Sequence, residues 1–248
     1  MSHGEFGWFE LICHDPETVR GFYGRVMGWQ FYGDKGDHDA KVPLMANWTL
    51  MPPKFADMQM PAFWMSHIEV ASNADTCTQA KDLGGTVEVV EKPDDNGAGF
   101  ALIRDPSGAG FTVFEGMVGT PLSRRANHRC GHILFTDDPS RVAAFYEGLF
   151  GWDLTPSDTG YHIQAGTQRL EISSAAPQLR GKNSFWSVLL ASIDLGPLPH
   201  QLQDSGGRLV IKAKTRYGHA AWVMDPEGAV IGFVENPALG GWRDWAFW

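Results

Sequence analysis

Three titratable side chains in the first half of the chain have types and spacings that could support chemistry. Glu10 lies in the apolar stretch WFELIC, while His67 and Glu69 lie in SHIEV. Residues two apart on a β-strand point to the same face, so His67 and Glu69 would share one side of their strand. A histidine beside a carboxylate can act as an acid–base pair near neutral pH. One histidine with two carboxylates could instead hold a divalent metal ion.

The sequence around these residues is a duplication. GWFELICHDPETVRGFYGRVMGW at 7–29 is repeated as CGHILFTDDPSRVAAFYEGLFGW at 130–152, with the Asp-Pro, Phe-Tyr and Gly-Trp pairs at the same spacings. Further along, RDPSGAGFTVFEG recurs as MDPEGAVIGFVEN. The polar segment GTPLSRRANHR between the copies is typical of a linker. We therefore predict one module over residues 1–124 and a second over residues 125–248.

Both modules predict the same order of elements. Asp15 and Asp138 are good helix N-caps, and the apolar residues after each of them recur with helical spacing. Asp-Pro-x-Gly at 105–108 and 225–228 suits the turn of a β-hairpin. Each half also contains a second strand followed by a helix. The fold is predicted to be α+β, with four βαβββ units in series and two curved-sheet cups.

Composition restricts the partners of the protein. The chain of 248 residues has a formal net charge of −9 and no cluster of basic residues beyond Arg124-Arg125, so we expect no binding to nucleic acid. We also expect no membrane association and a cytoplasmic location, because no apolar run reaches the roughly 20 residues that span a bilayer. Three cysteines without CxxC spacing indicate buried or idle thiols.

The motifs WFEL, FYGRVMGW, KDLGGTV and RDPSGAGFTVFE resemble those of the vicinal oxygen chelate superfamily, and most closely its two-module bacterial glyoxalase-like members. That superfamily includes glyoxalases, bleomycin and fosfomycin resistance proteins and extradiol dioxygenases. The resemblance implies that paired units curve their sheets around a cup, with a metal ion at its floor chelated by substrate oxygens. The ligands implied are a His or Gln on the first strand of each unit and a Glu on the last.

In this chain the implied ligand positions are occupied by Trp8, His67, Thr112, Gly131, Leu189 and Gly232. Most of these residues cannot bind a metal ion. Since His67 alone has a ligand side chain, we predict that the ancestral metal site is lost and that no cofactor is bound. A divalent metal ion held by Glu10, His67 and Glu69 remains the alternative.

Three other side chains near these positions are expected to be structural. His132 lies one residue beyond the ligand position, and it would turn into the cup only if a β-bulge shifted it. Otherwise it packs between sheet and helix. Glu115 and Glu235 lie beyond the ligand position on their final strands, so we expect surface carboxylates there.

The function predicted is that of a glyoxalase/bleomycin resistance/dioxygenase-like protein that binds a small, partly apolar molecule in the first cup. The expected ligand contacts are Trp8, Glu10, Met65, His67, Glu69 and Thr112. Whether the protein is an enzyme stays open, with His67 and Glu10 as candidate catalytic residues. The alternative function is a metal-dependent lyase, isomerase or dioxygenase of the vicinal oxygen chelate type.

Tryptophan is abundant, with ten residues in the chain. Trp8, Trp48 and Trp64 in the first-half strands could line an apolar pocket or belong to the core. The C-terminal GGWRDWAFW is predicted to pack back onto a module or onto a partner chain, so a homodimer is one of the two options.

Overall fold

The computed structural model describes residues 3–29, 46–91, 99–115, 129–166, 168–174, 177–180, 183–192, 194–215 and 217–235. The first half contains β1 (Glu5–Cys13), α1 (Pro16–Met27), β2 (Ala46–Leu50), α2 (Pro53–Asp57), β3 (Phe63–Glu69), α3 (Asn73–Asp82), β4 (Thr86–Glu91), β5 (Gly99–Arg104) and β6 (Gly110–Glu115). The second half contains β7 (Arg129–Phe135), α4 (Pro139–Phe150), β8 (Asp153–Ser157), β9 (Gly160–Ala165), β10 (Gln168–Ser173), α5 (Pro177–Arg180), β11 (Phe185–Ser192), α6 (Leu198–Leu202), β12 (Arg208–Thr215), β13 (Gly218–Met224) and β14 (Val230–Glu235).

Each module builds one mixed β-sheet. The first sheet has the order β2-β1-β3-β6-β5-β4, and the second has the order β12-β13-β14-β11-β7-β10-β9-β8. Three stretches show the predicted βαβββ order, namely β3 to β6, β7 to β10, and β11 to β14 with α5 preceding it. Of the first predicted βαβββ unit, the described residues form β1, α1 and β2. The α+β class, with one sheet for each half of the chain, is confirmed.

The Asp-Pro and Gly-Trp motifs fix the ends of the long helices. The side chain of Asp15 accepts the backbone N–H of Glu17 at the start of α1, and Asp138 does the same for Arg141 in α4. Both helices end on a glycine in the left-handed conformation, with φ of 67° at Gly28 and 65° at Gly151. Glycine adopts this conformation without steric cost, so it stops each helix at that residue. The predicted helix starts are confirmed.

The Asp-Pro-x-Gly motifs form the predicted hairpin turns. The N–H of Gly108 donates to the carbonyl of Asp105 over 2.9 Å, and Gly228 donates to Asp225 over 3.1 Å. The flanking strands β5 and β6, and likewise β13 and β14, pair antiparallel.

The compact units of the chain are composites of both modules. The first compact unit consists of the described residues of Met1–Trp8, Met65–Pro121 and Gly131–Ser187, with a core around α3 and α4. The second consists of those of Phe9–Trp64, Leu122–Cys130 and Val188–Trp248, with a core around α1 and α6. The module boundary predicted near residue 124, and the aromatic tail after residue 235, lie outside the described residues.

A buried hydrogen-bond chain in the first compact unit links the two modules. The indole N–H of Trp186 donates to the Tyr146 hydroxyl over 2.8 Å, and this hydroxyl donates to Oδ2 of Asp105 over 3.0 Å. Asp105 belongs to the first module, whereas Tyr146 and Trp186 belong to the second. Two of the repeated sequence motifs, Phe-Tyr and Asp-Pro-x-Gly, therefore meet in this chain.

The second compact unit contains the matching chain with the modules exchanged. Trp64 donates to the Tyr23 hydroxyl over 3.0 Å, and Tyr23 donates to Oδ2 of Asp225 over 3.0 Å. Each module thus supplies an aspartate to one chain and a tyrosine to the other. In the part of the protein that the structure describes, no helix is long and apolar enough to cross a membrane.

Candidate functional site

One face of the first sheet carries the candidate site. Ile68, Val113 and Ala101 point to the opposite face, into the core around α3 and α4. The register pairs His67 with Thr112, and Thr112 with Leu102, so these side chains share the face away from that core. We call this surface the first cup face. By strand alternation it consists of Met65, His67, Glu69, Phe100, Leu102, Arg104, Gly110, Thr112 and Phe114.

The middle of the first cup face is polar, and apolar side chains lie beside it. His67 and Thr112 are 5% and 8% exposed, while Phe100 and Leu102 are half-buried. The rings of His67 and Phe100 lie edge to face with centroids 6.4 Å apart. Hydrogen-bonding groups set within apolar and aromatic surface are typical of sites for small molecules.

Phe114 closes one side of the first cup face because its neighbour is a glycine. A Cβ atom on Gly7 would lie 2.7 Å from Cζ of Phe114, a distance that real contacts do not allow. Gly7 in β1 therefore gives the Phe114 ring its room, and the ring is fully buried.

An ion pair occupies the far corner of the face. Nε of Arg104 lies 2.5 Å from Oε1 of Glu88, and Nη1 donates to the carbonyl oxygen of Gly108 over 3.0 Å. Glu88 sits at the irregularity where β4 shifts register between Val87 and Val89. The guanidinium is held in place by two partners, and its charge is balanced by the carboxylate.

The equivalent face of the second sheet is filled at its centre. Its register pairs Leu189 with Gly232, and Gly232 with Trp222, at the places of His67, Thr112 and Leu102. A Cβ atom on Gly232 would lie 2.5 Å from Cδ2 of Leu189 and 2.8 Å from Nε1 of Trp222. We call this surface the second cup face. By the same alternation it includes Leu189, Ala191, Ala220, Trp222, Gly232 and Val234, which are buried, and Met224 and Val230 at its edge, which are half-buried.

The structure brings together some of the predicted contact residues. Met65, His67, Glu69 and Thr112 lie on the first cup face, within one compact unit. Glu10 belongs to the other compact unit, where it is half-buried and accepts a hydrogen bond from the Thr49 hydroxyl.

The side chain of Trp8, the remaining predicted contact, lies outside the described residues. The Glu10–His67 pair and the set of six ligand contacts remain predictions.

The described residues do not offer a ready metal site. Among them, no three or more His, Cys, Asp or Glu side chains group closely enough to hold a metal ion, so Glu10, His67 and Glu69 form no such group. At the ligand positions of the second sheet stand the hydrocarbon side chain of Leu189 and the bare backbone of Gly232. Metal ions in proteins are held by nitrogen, oxygen and sulfur donors, so these residue types do not fit the group.

His132 packs in the core of the first compact unit, as expected. Its ring stacks on Phe6 with centroids 3.9 Å apart and an interplanar angle of 19°, and it meets Trp186 edge to face. Trp64 is a core residue too, because it packs against Tyr23 and Phe9. These aromatic residues line the helix side of their sheets.

The two carboxylates expected at the surface have a structural role that the sequence analysis missed. Oε2 of Glu115 accepts the N–H of Asn73 over 2.7 Å, at the start of α3. Oε1 of Glu235 accepts the N–H of Leu195 over 3.3 Å, shortly before α6. A negative charge beside the free N–H groups of a helix start is favourable, so Glu115 stabilises the start of α3. Glu235 instead holds the segment that precedes α6 through the N–H of Leu195.

The groups with the largest pKa shifts lie in the two cores. Burial raises the pKa of Asp225 to about 6 and also raises the pKa of Asp105. Burial likewise raises the pKa of Tyr23 and Tyr146 well above the ordinary range, so both hydroxyls stay protonated. The pKa of the buried Cys13 thiol rises to about 12, again through burial, which keeps it an unreactive thiol.

Five residues of the first cup face were missed at the sequence level, two of them Gly110 and Phe114 in β6. The other three are Phe100, Leu102 and Arg104, all in the stretch FALIR. The alternation of this strand, with Ala101 and Ile103 in the core, was the available signal. Pairing it through the Asp-Pro-x-Gly turn would have placed Leu102 opposite Thr112.

Two sheets built from repeated βαβββ units, each with a cup face opposite its helices, define a two-module glyoxalase-like protein. Residues 8–114 match the family described as "Glyoxalase-like domain". Residues 128–233 match the "Glyoxalase/Bleomycin resistance protein/Dioxygenase superfamily". The chain belongs to the vicinal oxygen chelate superfamily, with two modules.

Similarity to individual proteins is more distant. The chain is 32% identical over 120 residues to "Anthracycline biosynthesis protein DauV" of Streptomyces sp. (strain C5). The matched stretch covers 45% of this chain and 42% of that protein. The chain thus spans less than half the length of this curated relative.

Solved structures of the same fold include the Mn(II)-bound glyoxalase from Novosphingobium aromaticivorans, with a TM-score of 0.62, 12% identity, and coverage of 95% of this chain and 85% of that one. An extradiol ring-cleaving dioxygenase from B. fuscum gives a TM-score of 0.61 at 16% identity, covering 95% and 72%. At these identities the likeness shows the fold alone.

Proposed function

We propose that this protein binds a small, partly apolar molecule on the first cup face, that no metal ion takes part, and that the second cup face has no ligand. The contrast between the two faces carries the proposal. His67 and Thr112 stand where the second sheet has Leu189 and Gly232. The centre of the first face carries hydrogen-bonding groups beside half-buried apolar side chains, whereas the centre of the second is filled by Leu189 and Trp222.

A catalytic role for this site would rest on His67. Glu69 is two residues further along the same strand, so a carboxylate and an imidazole share the first cup face. Such a pair could move a proton to or from a bound molecule near neutral pH. We keep binding as the proposed function and proton transfer by His67 as an extension of it.

The alternative is a metal-dependent lyase, isomerase or dioxygenase, the kind of protein found among the solved structures of this fold. The shared face of His67 and Glu69 favours it, since these could be two ligands of one ion. Elemental analysis of protein purified without chelator decides between the two functions. Our proposal predicts no stoichiometric divalent metal, and about one Zn, Fe, Mn or Ni ion per chain would refute it.

The binding proposal is tested with two matched variants. A fragment library is screened against the full chain by ligand-observed NMR, and the strongest binder is titrated calorimetrically. We expect His67→Ala to weaken its binding by roughly tenfold, the loss of a hydrogen bond to a polar group in a ligand site. Leu189→Ala in the second sheet should lower stability by about 2–5 kcal/mol through a cavity but leave the affinity unchanged.

The opposite pattern would refute the choice of face. If His67→Ala bound the fragment with unchanged affinity while Leu189→Ala lost it, the working site would belong to the second module. Circular dichroism of both variants confirms that each is folded before it is titrated.

A further inference from the structure

The second cup face shows what shape the matching place on the first cup face can accept. On the second cup face, the indole of Trp222 is buried over Gly232, at the backbone positions of Leu102 and Thr112. The same β-hairpin geometry therefore accommodates a planar bicyclic ring above this pair of strand positions. On the first cup face the smaller side chain of Leu102 stands at the place of Trp222, and it is half-buried.

The polar groups of the first cup face add a second requirement. His67 and Thr112 replace the hydrocarbon of Leu189 and the bare Gly232 at the centre of the face. A molecule over these two residues meets an imidazole and a hydroxyl, so a ligand with a hydrogen-bonding substituent can make contacts here that plain hydrocarbon cannot. An unsubstituted hydrocarbon ring would therefore be a poor match.

Charge gives the third requirement. Arg104 is the cationic side chain of the first cup face, and its guanidinium is already paired with Glu88 at 2.5 Å. An anionic ligand would compete with Glu88 for the same guanidinium, and it would lose its own hydration in doing so. The face therefore offers no net positive charge to attract an anion.

We propose that the first cup face binds an uncharged, planar aromatic molecule of about indole size that carries a hydrogen-bonding substituent. This inference rests on the proposed function, which it narrows to one class of ligand. Phe100 and Leu102 would contact the ring, while His67 and Thr112 would contact the substituent. Aromatic side chains contact planar rings with a preference over saturated ones.

Three probes of similar size separate ring planarity from charge. Naphthol is planar and uncharged, decalol is its saturated counterpart, and naphthoate is planar but anionic. Each is titrated calorimetrically into the full chain. We expect one naphthol per chain, with decalol and naphthoate binding weaker by roughly tenfold or more.

Two variants place the naphthol site. Leu102→Trp places an indole on the first cup face where the second cup face has Trp222. This indole should occupy the naphthol site, so naphthol binding should be lost. Thr112→Val keeps the shape and removes the hydroxyl, and it should weaken naphthol binding by roughly threefold to tenfold. Trp222→Leu alters the second cup face and serves as the control, with unchanged affinity at the first site.

The outcomes distinguish this inference from the proposed function. If decalol or naphthoate bound as tightly as naphthol and Leu102→Trp abolished that binding, the ligand class would be wrong and the binding site right. If none of the three probes bound, the ligand class would be overturned, while a fragment whose binding depends on His67 would still support the proposed function. If naphthol bound Leu102→Trp and His67→Ala as tightly as the natural chain, the first cup face itself would be the wrong site.

Discussion

Removing one buried hydroxyl group should show how much the two buried hydrogen-bond chains, each of which links both modules, contribute to stability. Tyr146→Phe deletes the group that accepts the Trp186 N–H and donates to Asp105. The ring itself stays, with its stacking on Trp152 at a centroid distance of 5.2 Å and an angle of 13°. The change therefore isolates the hydrogen bonds from the packing.

The expected cost follows from the partners that remain. In the variant, the indole N–H of Trp186 loses its acceptor in a fully buried place, and Asp105 loses one of its donors. Oδ1 of Asp105 keeps the N–H groups of Ser107 and Ala109, at 2.8 and 3.1 Å. Each buried group left without a partner costs about 1–3 kcal/mol, so Tyr146→Phe should lower the free energy of unfolding by about 2–4 kcal/mol.

Urea unfolding, followed by circular dichroism, measures this loss against a matched control. Tyr161→Phe also removes a hydroxyl, but that group is exposed and lies 3.4 Å from the Ser140 hydroxyl, so its loss should cost less than about 0.5 kcal/mol. Tyr23→Phe removes the equivalent hydroxyl from the hydrogen-bond chain of the second compact unit, and it should lower stability as Tyr146→Phe does. Equal effects of Tyr146→Phe and Tyr161→Phe would refute the assignment of a stabilising role to the buried chain.

Three further predictions concern single residues. Burial raises the pKa of Asp225 from 3.8 to about 6, so its contribution to stability is complete below 3.8 and is lost as the pH rises through about 6. Between pH 3.8 and about 6, the free energy of unfolding of the natural chain should fall by up to roughly 3 kcal/mol relative to that of Asp225→Asn. Urea unfolding at successive pH values measures both, and an equal pH dependence of the two proteins would contradict the prediction. Gly232→Ala should lower the free energy of unfolding by about 1–3 kcal/mol because its Cβ would lie 2.5 Å from Leu189, whereas Gly110→Ala, with its nearest neighbour at 3.8 Å, should be nearly neutral. Asp138→Ala removes the cap of α4 and should cost about 1 kcal/mol by thermal unfolding; an unchanged midpoint would count against the cap.

Local physical rules were sufficient to predict the elements of the fold. An aspartate before a proline caps a helix, a glycine after it ends the helix, and Asp-Pro-x-Gly makes a turn, whatever the rest of the chain does. These rules act over a few residues, and the starts of α1 and α4 at Pro16 and Pro139 follow them.

Long-range pairing could not be obtained in that way. The hydrogen bonds from Tyr23 to Asp225 and from Tyr146 to Asp105 join residues that no local rule connects. The repeat predicted two modules, and it gave no indication that the compact units would combine parts of both. Strand parity places His67 and Glu69 on one face. Glu10 lies in the part of β1 that belongs to the other compact unit, so its place in the same site stays a prediction.

Comparison of the two copies within one chain separates structural residues from candidate functional residues. The residues that recur in both copies, such as Tyr23 with Tyr146 and Asp105 with Asp225, lie in the buried hydrogen-bond chains. They recur because both halves of the fold require the same contacts. The central positions of the cup faces differ instead, with His67 and Thr112 in one copy and Leu189 and Gly232 in the other.

This difference has a physical consequence for where a ligand can bind. Leu189 and Trp222 fill the second cup face with hydrocarbon and indole, which stabilises the sheet but leaves no room over Gly232. His67 and Thr112 add less apolar contact to the first cup face and place polar groups at its centre, an arrangement that gives less stability from packing. A stabilising face can be kept for packing alone, whereas a less stabilising one is easier to explain if a bound molecule completes it. The first module is for this reason the place where we expect the activity of the protein.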